Sequence, residues 1–292
     1  MKKIYEYIFI VLLILLAIFS YTSYRAHAAL ALHVSPGTDT PAKYGLKYQD
    51  RYFMTSDNVK IASWYIPVKD SKAVVILVHG FQSSQGGKAL MLSHAQYLNK
   101  AGYSTLLIDL RSMGYTAGNK VTLGINEWKD AEAAYDYAKS LPENKGKKIG
   151  FMGNSMGAAT SLIERGITGK GDFVIASVPY ANFTSLLKFQ IEREGLPPLV
   201  FYPFLRLSTA IELGLHYAYY SPANWVGKID VPVFLISAAH DNEVNSLDAK
   251  SLYNEVHAPK EYWQANAGHD IYKDQPQQFK TKVLAFLSKI KS

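Results

Sequence analysis

The sequence predicts an α/β protein: a mostly parallel sheet with helices on both faces, preceded by one N-terminal hydrophobic helix. Three observations carry this expectation. From about residue 44 onward, short β-rich runs alternate with longer helical ones, the rhythm of parallel strands joined by crossover helices. Several of those runs are apolar throughout, as strands buried on both faces are. Residues 7–24 carry no charged side chain.

The N-terminal stretch comes first. Eighteen helical residues span about 27 Å, close to the hydrocarbon thickness of a bilayer. Tyr5, Tyr7, Tyr21 and Tyr24 lie at its two ends, where amphipathic rings favour the membrane interface. Lys2 and Lys3 in front of it favour a cytoplasmic N-terminus, which puts the rest of the chain outside the cytoplasm. A cleaved signal peptide is the competing reading, with Ala26-His27-Ala28 as a small-residue cleavage site; the protein is then secreted. Residues 1–28 are therefore read as a membrane anchor or signal peptide. Residues 29–43, with Pro36-Gly37 and Pro41, are read as a linker, and 44–292 as one globular domain.

Within that domain the elements follow in order. Residues 44–54 and 59–68 read as an antiparallel strand pair turning near Ser56-Asp57-Asn58. The run 73–78 is a buried strand, 88–101 a helix ended by Gly102, and 105–108 the next buried strand. A helix over 126–141 stops at Pro142. A strand over 148–152 leads directly into a helix over 156–166. Further strands cover 173–178, 232–237 and 260–264, and a helix over 276–290 closes the chain. Residues 182–225 break the rhythm. They are helical in pattern, rich in aromatics and split by Pro197-Pro198, and they read as a cap inserted over one end of the sheet.

Composition narrows the function classes. The chain has no cysteine, which excludes disulfides, cysteine-ligated metal and a thiol nucleophile. The net charge of +7 is spread along the chain, and its densest run, Lys145, Lys147 and Lys148, reads as a solvated turn and not a nucleic-acid patch. No H-E-x-x-H or comparable cluster is present, so neither a metal nor another cofactor is expected.

The chemistry sits at Gly153-Asn154-Ser155-Met156-Gly157, between a predicted strand and a predicted helix. That context suits a nucleophile elbow, in which a serine occupies a sharp, strained turn and flanking glycines avoid clashes. A serine hydroxyl needs a base. Of the eight histidines, His27 and His33 lie ahead of the globular domain, His216 in the cap, and His94 and His257 suit surface or packing positions. His269 lies in a loop after the last strand, where the order serine, acid, histidine places the general base. The acid is expected in the loop after the strand 232–237, with Asp241 first and Glu243 second; Pro179-Tyr180-Ala181, the other place for it, offers no carboxylate. An oxyanion hole needs two backbone N–H donors, assigned to Met156 and Phe81, with His79 bonding the loop backbone.

Taken together, His79-Gly80-Phe81, the stretch from Asp109 to Gly114, the elbow, Asp241 and Gly268-His269 resemble the ordered signatures of the α/β-hydrolase superfamily. Within it, the chain is similar to bacterial membrane-anchored hydrolases of the Bem46-like and serine aminopeptidase-like branches. The likeness runs from about Val59 to the C-terminus. It implies an eight-stranded sheet, a Ser155–His269–Asp241 triad, and structural roles for Asp109 and Arg111. Ser112-Met113 departs from the Gly-His pair frequent in that family, which touches loop shape only. The expected activity is hydrolysis of small carboxylic esters with short or medium acyl groups through an acyl-enzyme. A peptidase or amidase with the same triad and a non-catalytic membrane-tethered binding module are the alternatives. The expected partners are a small-molecule substrate and a membrane.

Overall fold

The computed structural model describes residues 2–82 and 85–290. Eight strands form one sheet: β1 (Gln49–Met54), β2 (Lys60–Ile66), β3 (Val74–Val78), β4 (Ser104–Ile108), β5 (Ile149–Asn154), β6 (Val174–Ser177), β7 (Val233–Ala238) and β8 (Lys260–Ala265). Their order across the sheet is β8-β7-β6-β5-β3-β4-β2-β1. The β1–β2 and β2–β4 pairings are antiparallel and the rest are parallel, as expected. The apolar runs occupy the centre: β3 and β4 are buried at every residue. At the edge, β1 alternates because only one of its faces is covered. The β1–β2 turn is fastened by Thr55, whose Oγ1 donates to Asp57 at 2.6 Å and accepts from Val59 N at 2.8 Å.

Helices α2 (Leu92–Lys100), α3 (Glu127–Ser140) and α4 (Met156–Thr168) cover the sheet together with α9 (Pro276–Leu287). On one face Leu92, Leu98, Phe279 and Phe286 pack over Val75, Leu77 and Phe234. On the other, Ala131, Ala134 and Ala138 of α3 pack over Val74, Ile76 and Ile149. Small residues let α3 approach closely, and each large side chain fully buried contributes about 1.5–3 kcal/mol. The order 182–225 is indeed helical, with α5 (Phe183–Arg193) and α6 (Pro198–Leu213) followed by short 3₁₀ turns. Two short helices, α7 (Asp248–Glu255) and α8 (Ile271–Asp274), are not foreseen in the sequence reading.

Helix α1 runs over Lys2–Leu30, longer than the apolar stretch that predicts it. Its residues 2–17 are exposed. Its C-terminal part instead docks on the inserted helices. Thr22 and Ser23 hydroxyls meet Ser208 at 3.1 and 3.0 Å, His27 Nδ1 meets Glu212 at 3.0 Å, and Tyr21 donates to Glu194 at 2.7 Å. The segment read as a linker is bonded to the domain. Leu30 O accepts from Val121 N, Val34 N donates to Ser112 O, and Ser35–Pro36 pairs in parallel with Gln85–Gly86. Val34 is buried, so an apolar side chain anchors a stretch whose prolines had pointed to free chain.

Candidate active site

Ser155 follows β5 directly and caps α4, with φ 53° and ψ −120°. A serine rarely adopts this conformation, and it persists only where the surroundings enforce it. Here they do. A side chain at Gly153 would sit 2.2 Å from Gly157 O, and one at Gly157 would sit 2.1 Å from Val78 O. Backbone therefore packs on backbone at both glycines of the elbow, and Ser155 N donates to Ser177 O at 2.8 Å to hold the turn on β6. Met156 opens α4, where first-turn N–H groups have no helical acceptor and the helix dipole favours negative charge.

The loop after β3 lies against this turn. A Cβ at Gly80 would come within 3.2 Å of Ser155 Cβ, which places Phe81 beside the elbow. His79 is fully buried and pins that loop. Its Nδ1–H donates to Gly80 O at 2.8 Å, and its Nε2 accepts from Leu110 N at 3.1 Å. Burial lowers its pKa, so the neutral ring with one donor and one acceptor is the stable form. Asp109 ties the neighbouring loop by accepting from Lys88 N at 2.6 Å and Tyr115 N at 2.9 Å, with the Lys88 ammonium as its buried counter-ion. Arg111 bridges two carboxylates, Asp57 at 2.9 Å and Asp130 at 2.7 Å.

The third and fourth loops come from β7 and β8. They are laced together by Ala239 N to Ala265 O at 2.8 Å and His240 N to Ala267 O at 3.0 Å. This lacing brings His269 Nδ1 within 2.9 and 2.8 Å of the two Asp241 oxygens. Asp241 Oδ1 also accepts from Glu243 N and Val244 N at 2.8 and 2.9 Å, so its side chain turns inward, 2% exposed. Glu243 turns outward, 53% exposed, and its Oε2 lies 3.6 Å from His269 Nε2. Burial alone would lower the His269 pKa, but the Asp241 hydrogen bond and charge, with Glu243 and Asp270 nearby, outweigh it and raise the value. Among the described residues no hydrogen bond joins Ser155 Oγ to His269 Nε2; such contacts are often long without substrate.

Comparison with known proteins follows the same lines. A sequence model of the family described as serine aminopeptidase, S33, matches residues 69–165, from just before β3 into α4. An esterase of Pyrococcus furiosus, Pf2001, superposes with a TM-score of 0.74 at 27% identity, covering 89% of this chain and 99% of that one. The chain belongs to the α/β-hydrolase superfamily. An uncharacterised protein of Bacillus subtilis, YqkD, is 26% identical over 71% of this chain and 68% of its own length. A carboxylesterase of the same organism is 24% identical over 76% of this chain and 95% of its own. The α/β-hydrolase likeness, with esterases among these relatives, supports hydrolase activity.

In this hydrolase the structure brings His269 and Asp241 into contact. It places Ser155, Met156 and Phe81 together at the ends of β5 and β3, on the same C-terminal edge of the sheet. Some site neighbours escape the sequence reading. Gln190 of α5 donates to Glu243 O at 2.9 Å, which ties the inserted helices to the Asp241 loop. Asp248 of α7 accepts from Ala181 N at 2.9 Å and Ser185 Oγ at 2.6 Å, fixing the start of α5. Neither lies in a motif. The cleft of about 450 Å³ lined by Phe53, Glu132 and Tyr137 lies against β1 and α3 and shares no residue with the site.

Proposed function

We propose that this hydrolase is a serine enzyme cleaving carboxylic esters of short or medium acyl groups, with Ser155 as nucleophile, His269 as general base and Asp241 as the acid that orients it. The observation that carries the reading is the His269–Asp241 pair at 2.8 Å, on loops at the same C-terminal edge of the sheet as a serine held at φ 53°. Asp241 keeps the proton of the neutral imidazole on Nδ1, which leaves Nε2 free to accept the serine proton. Ser155 Oγ then attacks the carbonyl carbon, and the oxyanion takes hydrogen bonds from the Met156 and Phe81 N–H groups. The imidazolium returns its proton to the leaving alcohol, and a water activated by His269 releases the acid.

The family model, described by its serine aminopeptidase members, favours a peptide or amide bond as the second substrate reading. The test uses a fluorophosphonate probe on the folded protein, then ester and peptide panels. Labelling that disappears in Ser155→Ala supports the serine enzyme. Absence of labelling in the folded wild-type protein favours a binding module.

Helix α1 is read as a retained, single-pass membrane anchor, with the catalytic domain on the extracytoplasmic side. Its apolar length supports this, and the same length and composition suit a signal sequence. Against cleavage stands its packing: Ala26 is buried, and the helix continues unbroken to Leu30. Cleavage after Ala28 would remove the Thr22, Ser23 and His27 contacts to α6. The N-terminal sequence of the purified membrane fraction distinguishes the two.

A further inference from the structure

Helix α6 carries an apolar stripe that stays exposed among the described residues. Leu199, Pro203, Leu207 and Ile211 recur every four residues and are exposed, Leu199 at 91%; Val200 beside Leu199 is exposed too. The opposite side of α6 is held by α1, and the contacts run in the same order along both helices. Phe201 meets the Tyr21 ring at 6.2 Å, Ser208 meets Thr22 and Ser23, and Glu212 meets His27. The two helices are therefore parallel. The N-terminal end of α6 lies towards the purely apolar part of α1, and Leu199 sits about 3 Å further along that direction than Phe201.

Helix α5 reaches the same level. Its C-cap residue, Glu194, accepts from Tyr21 OH and pairs with Arg25. One helical turn earlier, about 6 Å away, Gln190 donates to Glu243 O in the loop whose Asp241 holds His269. The end of the apolar span and the rim of the site are thus joined by one turn of helix.

We propose that the N-terminal end of α6, with Leu199 and Val200, is seated in the bilayer leaflet that α1 leaves, and that the site draws its substrate from that leaflet. The substrate is then an amphiphilic acyl ester resident in the membrane. This rests on the serine-hydrolase and anchor readings above. The bilayer is the occupant because the N-terminal end of the stripe lies towards the apolar span of α1 and the stripe carries no carboxylate. Tyr21 and Tyr24 mark the interface beside it, and exposed Arg206 flanks it where lipid phosphates lie.

The absence of cysteine permits single-site labelling of the full-length protein. Leu199→Cys, Leu207→Cys and Ile211→Cys carry an environment-sensitive fluorophore in phosphatidylethanolamine–phosphatidylglycerol vesicles with brominated acyl chains. Lys69→Cys, in the turn before β3 at the opposite edge of the sheet, is the control. Quenching that falls from 199 through 207 to 211 and is absent at 69 is the expected result. The double variant Leu199→Glu/Val200→Glu is expected to turn over soluble p-nitrophenyl butyrate as wild type does. On p-nitrophenyl palmitate embedded in the vesicles it loses about tenfold, since charge is costly in the hydrocarbon. Soluble-ester turnover also reports its folding.

An unquenched probe at 199 overturns the proposal, as does an equal change on both esters. Self-quenching at 199 without bromolipid quenching means a second copy covers the stripe, and overturns it too. Wild-type protein that cleaves neither ester refutes the hydrolase reading, and with it the leaflet substrate; quenching at 199 still decides the seat of α6. Protein that does not remain with the vesicles refutes the anchor and the proposal together.

Discussion

Replacing Asp241 by Asn removes a charge and reverses one hydrogen bond. The carboxylate accepts from His269 Nδ1 at 2.8 Å while its Oδ1 takes Glu243 N and Val244 N. In the amide, the remaining oxygen serves the two loop N–H groups, and the NH₂ faces Nδ1. The imidazole then holds its proton on Nε2, the tautomer that cannot accept one from Ser155. The expected loss is about 10⁴ in kcat, or about 5 kcal/mol of barrier. Glu243→Gln acts on the same ring from 3.6 Å, but from an exposed side chain. At the dielectric of water that charge is worth about 1 kcal/mol to the imidazolium, less than one pH unit.

The signs follow. The base works when neutral, so activity rises with pH through the raised His269 pKa. Removing the Glu243 charge lowers that pKa and shifts the acid limb to lower pH by under about one unit, with plateau kcat changed at most a few-fold. The assay is the pH dependence of kcat for wild type and both variants on one soluble ester. A crippled Glu243→Gln beside a near-normal Asp241→Asn would refute the reasoning and exchange the two roles.

Other outcomes can be stated briefly. Gly157→Ala is expected to give no soluble folded protein, because the new Cβ would lie 2.1 Å from Val78 O with backbone on both sides; near-native circular dichroism would contradict the packing. Arg111→Met strands the fully buried Asp130 carboxylate and should cost about 3–5 kcal/mol in urea unfolding. The Arg111 hydrogen bonds hold the Asp57 carboxyl below the usual range against the opposing effect of burial, with Thr55 and Lys129 assisting. Its stabilisation is therefore complete above the unfolded value near pH 4 and lost as pH falls through the lower folded one. Asp57→Asn should flatten acid unfolding in that window, as followed by fluorescence.

Much of the fold is legible in sequence because its signals are local. The run at 73–78 is apolar throughout and that at 105–108 is so after Thr105, and β3 and β4 appear there, the first a residue shorter and the second a residue longer. α7 escapes because its eight residues show too short a pattern to stand apart from the loop around it. The elbow is legible because Gly153-Asn154-Ser155-Met156-Gly157 is a contiguous pattern, although what excludes a side chain at Gly157 is the distant Val78 and His79 backbone. His269 is found by its place in the order of the loops. The choice between Asp241 and Glu243 stays open in sequence, since they are two residues apart in one loop.

By itself, then, the sequence determined the alternation of strands and helices, the elbow at Ser155, the candidate imidazole and carboxylate, and an apolar helix of membrane-spanning length. Only the tertiary structure turned Asp241 inward to Nδ1 and Glu243 outward, because the Glu243 and Val244 amides bind one carboxylate and draw it into the loop. Only it showed that α1 runs into the inserted helices and that residues 30–36 are bonded to the domain. The contacts of α1 with α6 join residues nearly two hundred positions apart, and no local pattern in the chain encodes which distant surface an amphipathic stretch will meet.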